Sequence, residues 1–171
     1  IVAPVTTAVP PPTNTTPSRT NYILYATLDF DAHTLEADET IRYYNTTGVA
    51  LSDIVLSVQP NRYGGAFSLL AVFQDNVALT NYSLNDQRLT LNLSQPLQPN
   101  ASTPLGIKFK INIPAKAHAG LFGYDFNQIN LVDWYPCVVP YMSGWVLHDP
   151  MPFGEHLVYD ASDIEVNLKT G

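Results

Sequence analysis

The sequence predicts an all-β domain, an antiparallel β-sandwich or a pair of curved, saddle-like sheets, behind an extended Pro/Thr-rich N-terminal tail. Apolar and polar residues alternate over long stretches from Tyr22 onward. Asn-, Asp- and Pro-containing breaks recur at roughly the 8–12 residue spacing of sandwich strands. No window of about 11 residues carries a helical period, so any helix is limited to a single turn.

The elements follow in order. Tyr22, Leu24, Ala26, Leu28 and Phe30 fall on one side of a first strand, with Ile23, Tyr25, Thr27 and Asp29 on the other. Asp31-Ala32-His33 makes a turn, and Leu35, Ala37, Glu39, Ile41 and Tyr43 then alternate with Glu36, Asp38, Thr40, Arg42 and Tyr44. Together the two segments form a hairpin. Asn45-Thr46-Thr47-Gly48 ends it, and Ile54, Leu56 and Val58 begin a strand that stops at Pro60-Asn61. Phe67 to Gln74, Val77 to Leu84, Leu89 to Leu93 and Leu105 to Ile113 are further strands, parted by Asp75-Asn76, Asn85-Asp86 and the Pro96 to Pro104 loop. Asp163 to Lys169 alternates cleanly as well, and is expected to be an edge strand without a partner.

With 171 residues, the chain suits one domain, residues 21–171, following a tether over residues 1–20. Apart from Ile1, that tether is Val, Ala, Thr, Pro, Ser and Asn with Arg19 as its sole charge, a composition that favours an extended chain and points to an extracellular or cell-envelope location. The only cysteine, Cys137, excludes an internal disulfide, so stability must come from apolar burial. Eight Lys and Arg against fifteen Asp and Glu give a net charge of −7, with only a loose group at Lys108, Lys110 and Lys116, which disfavours a nucleic-acid partner. No apolar run approaches the roughly 20 residues of a transmembrane helix. Asn-x-Ser/Thr sequences at Asn14, Asn45, Asn81, Asn92 and Asn100 are expected in exposed turns.

Signs of chemistry are sparse. The sequence contains no His-Glu-x-x-His, Gly-x-Ser-x-Gly, phosphate-binding Gly loop or Cys-x-x-Cys. His148, Asp149, Glu155 and His156 lie close together without a zinc-ligand spacing, and His33 and His118 could join them only through folding. Structural loop roles suit these residues better. Acids at Asp29, Asp31, Glu36, Asp38, Glu39, Asp160, Asp163 and Glu165 for the most part suit solvated strand faces better than a catalytic carboxylate pair. Ser143 lacks a nucleophile elbow, and Cys137 has no basic neighbour in sequence to activate it. The segment from Trp134 to Phe153 is irregular yet holds both tryptophans and Cys137. Trp134, Tyr135, Tyr141 and Trp145 either plug one end of the sandwich or form an aromatic surface for a sugar, a peptide or another domain.

Several segments carry a resemblance. Leu35-Glu36-Ala37-Asp38-Glu39-Thr40-Ile41-Arg42-Tyr43-Tyr44-Asn45, then Leu51-Ser52-Asp53-Ile54 and Val58-Gln59-Pro60-Asn61, resemble the opening of the N-terminal β-domain of aminopeptidase N-type zinc metallopeptidases. Gly120-Leu121-Phe122-Gly123-Tyr124 and Trp134-Tyr135-Pro136-Cys137 resemble two later elements of that domain, the second its Phe-Pro-Cys. The likeness spans roughly Tyr22 to Leu168. Ala37 stands where Gly is frequent, and Val138-Val139-Pro140 replaces Asp-Glu-Pro, which with Phe153-Gly154-Glu155-His156 places the sequence in a divergent microbial branch.

The resemblance implies a non-catalytic domain that packs on its own catalytic domain and helps to bind the free N-terminus of a peptide substrate. Zinc and its His-Glu-x-x-His helix would lie in that catalytic domain, with no cofactor on this chain. It also implies a polar acceptor for the substrate α-amine ahead of the Pro-Cys element. Gln128, eight residues before Pro136, is the first choice, and Asn127, nine before, the second. This reading predicts a buried or crevice-facing Gln128, and a Gln128 pointing into solvent on the face opposite the Trp134 to Phe153 segment would remove the substrate-binding role. The alternatives are a carbohydrate- or protein-binding sandwich of a cell-surface protein, for which coplanar exposed aromatics would be required, and a spacer with no site.

Overall fold

A computed structural model describes residues 19–115, 122–149 and 157–171. The fold grows from the first hairpin: β1 (Asn21–Asp29) and β2 (Thr34–Tyr44) pair antiparallel, with Leu28 opposite Leu35. The turn between them places His33 at φ +52°, while Ala32 donates its N–H to the Asp29 carboxylate at 2.9 Å. On β2 the alternation is strict, burying Leu35, Ala37, Glu39, Ile41 and Tyr43. Such period-two burial fixes register, since a slip of one residue would turn every apolar side chain to solvent.

β8 (Ser102–Asn112) pairs with β2 along its whole length, then β4 (Phe67–Gln74) and β5 (Val77–Ala78) complete one side of a six-stranded sheet that β12 (Asp163–Thr170) closes on the other, in the order β12-β1-β2-β8-β4-β5. Pro104 lies just outside the last β4–β8 partner pair, Gln74 and Leu105, where β8 needs no amide hydrogen on that side. A four-stranded sheet ordered β11-β3-β7-β6 forms the facing layer, from β3 (Leu51–Ser57), β6 (Tyr82–Asn85), β7 (Arg88–Leu97) and β11 (Cys137–Val138). β9 (Phe122–Asp125) and β10 (Gln128–Leu131) make a separate two-stranded hairpin. A 3₁₀ turn at Gln59–Arg62 is the one helical element among the described residues.

Both inner faces meet in one core. Leu24, Leu35, Ile41, Leu105, Ile107, Phe109 and Ile111 from the larger sheet pack with Ile54, Leu56, Leu89 and Leu91 from the smaller one, all fully buried. Burying a side chain of this kind contributes roughly 1.5–3 kcal/mol, so these layers supply the apolar burial that a chain without disulfides requires. Val139 extends β11 by donating its N–H to Val55 O at 3.0 Å, and Val55 is buried in turn.

The all-β fold agrees with the alternation, while three expectations need correction. The terminal strand β12 (Asp163–Thr170) has a partner after all: it pairs parallel with β1, Asn21 opposite Asp163 through Leu28 opposite Thr170. β1 already pairs β2 on one edge, and its other edge is open to receive β12. The Val77 to Leu84 stretch is two strands in two sheets, because the chain crosses between layers at Leu79–Asn81. Asn45 and Asn92 are not in exposed turns: Asn92 is half-buried within β7, and Asn45 is fully buried and serves as the staple of its loop. Residues 1–18 of the tether lie outside the described residues, as do Asn14, Lys116, His118, Gly120, Leu121 and the segment from Pro150 to His156.

Candidate functional site

The β9–β10 hairpin carries both candidate recognition residues. Its base is held by aromatic contacts: buried Phe122 stacks on Tyr63 with ring centres 5.0 Å apart, and Tyr124 stacks on His33 at 3.5 Å and 6°. Tyr124 also donates its N–H to Pro114 O at 2.9 Å. The tip is different. Asp125, Phe126, Asn127 and Gln128 are all exposed, and Phe126 holds φ +46° with its ring 92% exposed. A positive φ is unfavourable for a bulky residue, and a bare aromatic ring at such a position adds an unburied apolar surface. The Gln128 amide donates to Asn130 Oδ1.

Gln128 is therefore neither buried nor in a crevice among the described residues. The hairpin is its own two-stranded sheet, and among the described residues no further strand pairs with it. Asn127 shares the tip as a turn residue.

From the hairpin the chain runs into an aromatic strap across the seam between the two large sheets. Trp134 lies 6.2 Å from Phe109 and 5.3 Å from Tyr135, and Tyr135 meets the Tyr22 ring at 6.2 Å and 62°. The Tyr22 hydroxyl accepts the Val138 N–H at 3.1 Å, tying the strap to β1. Further along, Tyr141 and Trp145 meet edge to face at 5.2 Å and 84°, and the indole N–H of Trp145 donates to the Asp53 carboxylate at 3.0 Å. All four aromatics are half-buried and pack against the core. Their steep mutual angles do not make the coplanar platform that stacking on a sugar chain would use.

Beneath this strap lies a cluster of titratable groups. Strict alternation on β2 directs the Glu39 side chain inward, where it is 2% exposed and neither carboxylate oxygen has a hydrogen-bond partner. Burial pushes the Glu39 carboxyl well above the usual carboxylate range. Burial likewise raises the Cys137 thiol, with Glu39 and Asp133 adding to the effect, so this thiol is not an activated nucleophile. Tyr22, Tyr135 and Tyr159 are each raised by burial first and by the neighbouring Cys137 second, and Ser57 holds a hydrogen bond with Tyr159.

The rest of the strap is anchored by polar contacts. Buried Gln87 donates to His148 O at 2.9 Å and to the Asp149 carboxylate at 3.4 Å, and it accepts from Gln59. Arg62 pairs with Asp86 at 2.9 Å and with Asp149 at 3.6 Å. Among the described residues no three His, Cys, Asp or Glu converge to hold a metal ion. No described helix is long and apolar enough to cross a membrane.

The outward face of the larger sheet forms a groove of about 880 Å³, lined by Tyr25, Thr27, Glu36, Asp38, Leu70 and Lys108 among others. Its Lys108–Asp38 ion pair, at 2.8 Å, is exposed. Two features of the candidate region escaped the sequence analysis. Glu39 stands on the Leu35 face of its strand, and that placement alone signalled a buried acid; Phe126 gave no signal beyond its place in a turn.

No family model and no curated protein matches the chain. Among solved structures it is similar to an M1 zinc metallopeptidase from Deinococcus radiodurans, in a mutant bound to a Tyr-Ser-Ala substrate, at 18% identity and a TM-score of 0.46, over 56% of this chain and 21% of that one. A two-domain M1 zinc metallopeptidase mutant bound to L-tryptophan is similar at 19% identity and a TM-score of 0.47, over 60% of this chain and 23% of that one. Another, bound to L-arginine, is similar at 17% identity and 0.46, over 58% and 22%. The chain thus spans about a fifth of the length of these structures.

Proposed function

We propose that this chain is the non-catalytic N-terminal β-domain of a zinc aminopeptidase of the M1 kind, in which it packs on the catalytic domain and helps to bind the free N-terminus of peptide substrates. The observation that carries the reading is the β9–β10 hairpin, a firmly stacked base that presents the polar residues Asn127 and Gln128 beyond the sandwich. Each offers a neutral amide oxygen that can accept from a protonated α-amine. Gln128 is exposed rather than crevice-facing on this chain, so the role requires a cleft completed by the catalytic domain, against which Phe126 beside it offers an apolar anchor. The half-buried outer faces of Trp134, Tyr135, Tyr141 and Trp145 supply further surface for such packing.

In this reading zinc belongs to the catalytic domain, where it polarises the scissile carbonyl when bound. The role of Asn127 and Gln128 is to orient the amino end, and so to select for a chain terminus. The protein acts outside the cytoplasm, behind its Thr/Pro tether.

Reading the coding sequence beyond Gly171 tests the proposal. The expected outcome is a His-Glu-x-x-His with a downstream Glu ligand within the next few hundred residues. A stop codon, or an adhesive repeat in its place, would leave a binding sandwich as the better account.

A further inference from the structure

Glu39 sits mid-strand on the core face of the larger sheet, opposite Leu24 of β1 and Ile107 of β8 and between Ala37 and Ile41 of its own strand. All four neighbours are buried. The titratable groups on that side are Tyr22 of β1, Tyr135 of the strap and Cys137 of β11, with Asp133 and Tyr159 near Cys137. Tyr43 lies further along β2 with Asp160 near it. From the facing sheet Ile54, Leu56, Leu89 and Leu91 add no charge, and Asp53 of β3 is engaged by Trp145. Arg42, Lys108 and Lys110 alternate to the outer face of β2 and β8. Among the described residues no cation therefore faces Glu39, and a charge on it is unfavourable for as long as water is kept out.

What keeps water out is thinly held. β11 is two residues long and pairs only with Ser57 and Leu56. Two further bonds tie the strap down, from the Val138 N–H to the Tyr22 hydroxyl at 3.1 Å and from the Val139 N–H to Val55 O at 3.0 Å. The sheet beneath is different, since β2 pairs with β8 over all 11 of its residues without a register shift. Opening is therefore easier for the strap than for the sheet it covers.

We propose that Glu39 and the strap form a pH-sensitive latch: the strap closes over the protonated acid, and loss of that proton to water releases the strap from β1 and β3. Burial holds the closed-state pKa of Glu39 above the value of about 4.3 for an exposed Glu. The closed strap is thus fully favoured below that value, and its advantage falls by up to about tenfold per pH unit as pH rises toward the closed-state pKa. Tyr22, Tyr135 and Cys137 are raised by burial too and keep their protons over that window, so Glu39 is the group that switches. The strap follows directly on β10, so its release also frees that leg of the β9–β10 hairpin. None of this depends on a peptidase activity.

Hydrogen exchange on the chain between pH 5 and pH 7, corrected for the intrinsic pH dependence of amide exchange, is the test. The Val138 and Val139 amides report the strap, and amides of residues 105–111 report the β2–β8 ladder. The strap amides should be less protected than the ladder at every pH, and should lose protection by about 10–100-fold across the range. Glu39→Gln should hold their protection constant within about twofold. Tyr22→Phe, which removes the acceptor of the Val138 N–H, should lower it by the same factor at each pH and keep the slope. Alkylation of Cys137 by iodoacetamide gives a second readout: the ratio of wild-type to Glu39→Gln rates cancels the pH dependence of the thiolate and should rise by the same 10–100-fold. Strap protection that does not change with pH in the wild type overturns the proposal. So does strap protection equal to that of the ladder, which would mean that only global unfolding exposes Glu39, or a slope that Glu39→Gln retains.

Discussion

Two buried polar side chains near the same strand have opposite fates. Asn45, just past the end of β2, is fully buried, and its amide satisfies four groups: it donates to Val49 O at 2.8 Å and Leu97 O at 2.9 Å, and accepts from the Thr47 N–H at 3.0 Å and the Thr47 hydroxyl at 2.7 Å. Glu39, in mid-strand, is as deeply buried and has no partner on either oxygen. The contrast shows that burial of a polar group is not itself the cost; an unmade hydrogen bond is. At Asn45 the chain uses a polar core group to fix a loop. At Glu39 it holds an unpartnered carboxyl, pushed up by burial, beside the aromatic strap.

The largest effect should come from Asn45→Leu, which keeps the volume while removing the Asn45 partner of the Leu97 carbonyl and of the Thr47 amide and leaving the Val49 carbonyl only the Thr47 hydroxyl at 3.2 Å. A loss of about 2–4 kcal/mol in urea unfolding is expected. A loss well under 1 kcal/mol would mean that water substitutes freely, and would remove the contrast.

Glu39→Gln should act in the other direction. The folded carboxyl has its pKa raised above the unfolded value, so the folded state retains a proton that the unfolded state releases. Stability is then fully present below the unfolded pKa of about 4.3 and declines as pH rises from there toward the folded pKa. Tyr22, Tyr135 and Cys137, which burial raises as well, stay neutral over that window. The variant is expected to gain about 1–3 kcal/mol at pH 7 and almost nothing at pH 4, with a flatter stability–pH profile. A variant that is less stable at pH 7 would show that Glu39 has a partner.

Smaller effects calibrate the comparison. Trp145→Phe removes one indole donor from Asp53 and should cost about 1 kcal/mol. Lys108→Ala breaks an exposed pair with Asp38 and should change unfolding by less than about 0.5 kcal/mol, an effect that added salt reduces further.

These differences follow the line between what local pattern encodes and what it cannot. Alternation on β1, β2 and β8 gave their inner faces, and it already set Glu39 among Leu35, Ile41 and Tyr43. It could not show that Val77–Ala78 and Tyr82–Asn85 belong to different sheets, because the same period serves either layer. The parallel pairing of β12 with β1 joins residues 142 positions apart, and nothing in either strand encodes it. Asn45 in an Asn-Thr-Thr-Gly turn reads as exposed, yet its side chain answers Leu97, which is far along the chain. At the hairpin, Gln128 and Asn127 could be singled out by their distance from Pro136, whereas the exposure of Gln128 depends on the hairpin lying outside both larger sheets.

The most direct measurement is the steady-state hydrolysis of a dipeptide with a free α-amine and of its N-acetyl form by the full-length protein, with and without Gln128→Ala. The account predicts that the free-amine substrate is preferred and that its kcat/KM falls by about 10–100-fold in the variant, equivalent to about 1.4–2.7 kcal/mol, while the blocked substrate is unaffected. Equal loss on both substrates, or no loss on either, would contradict a role for the hairpin tip in recognising the amino terminus.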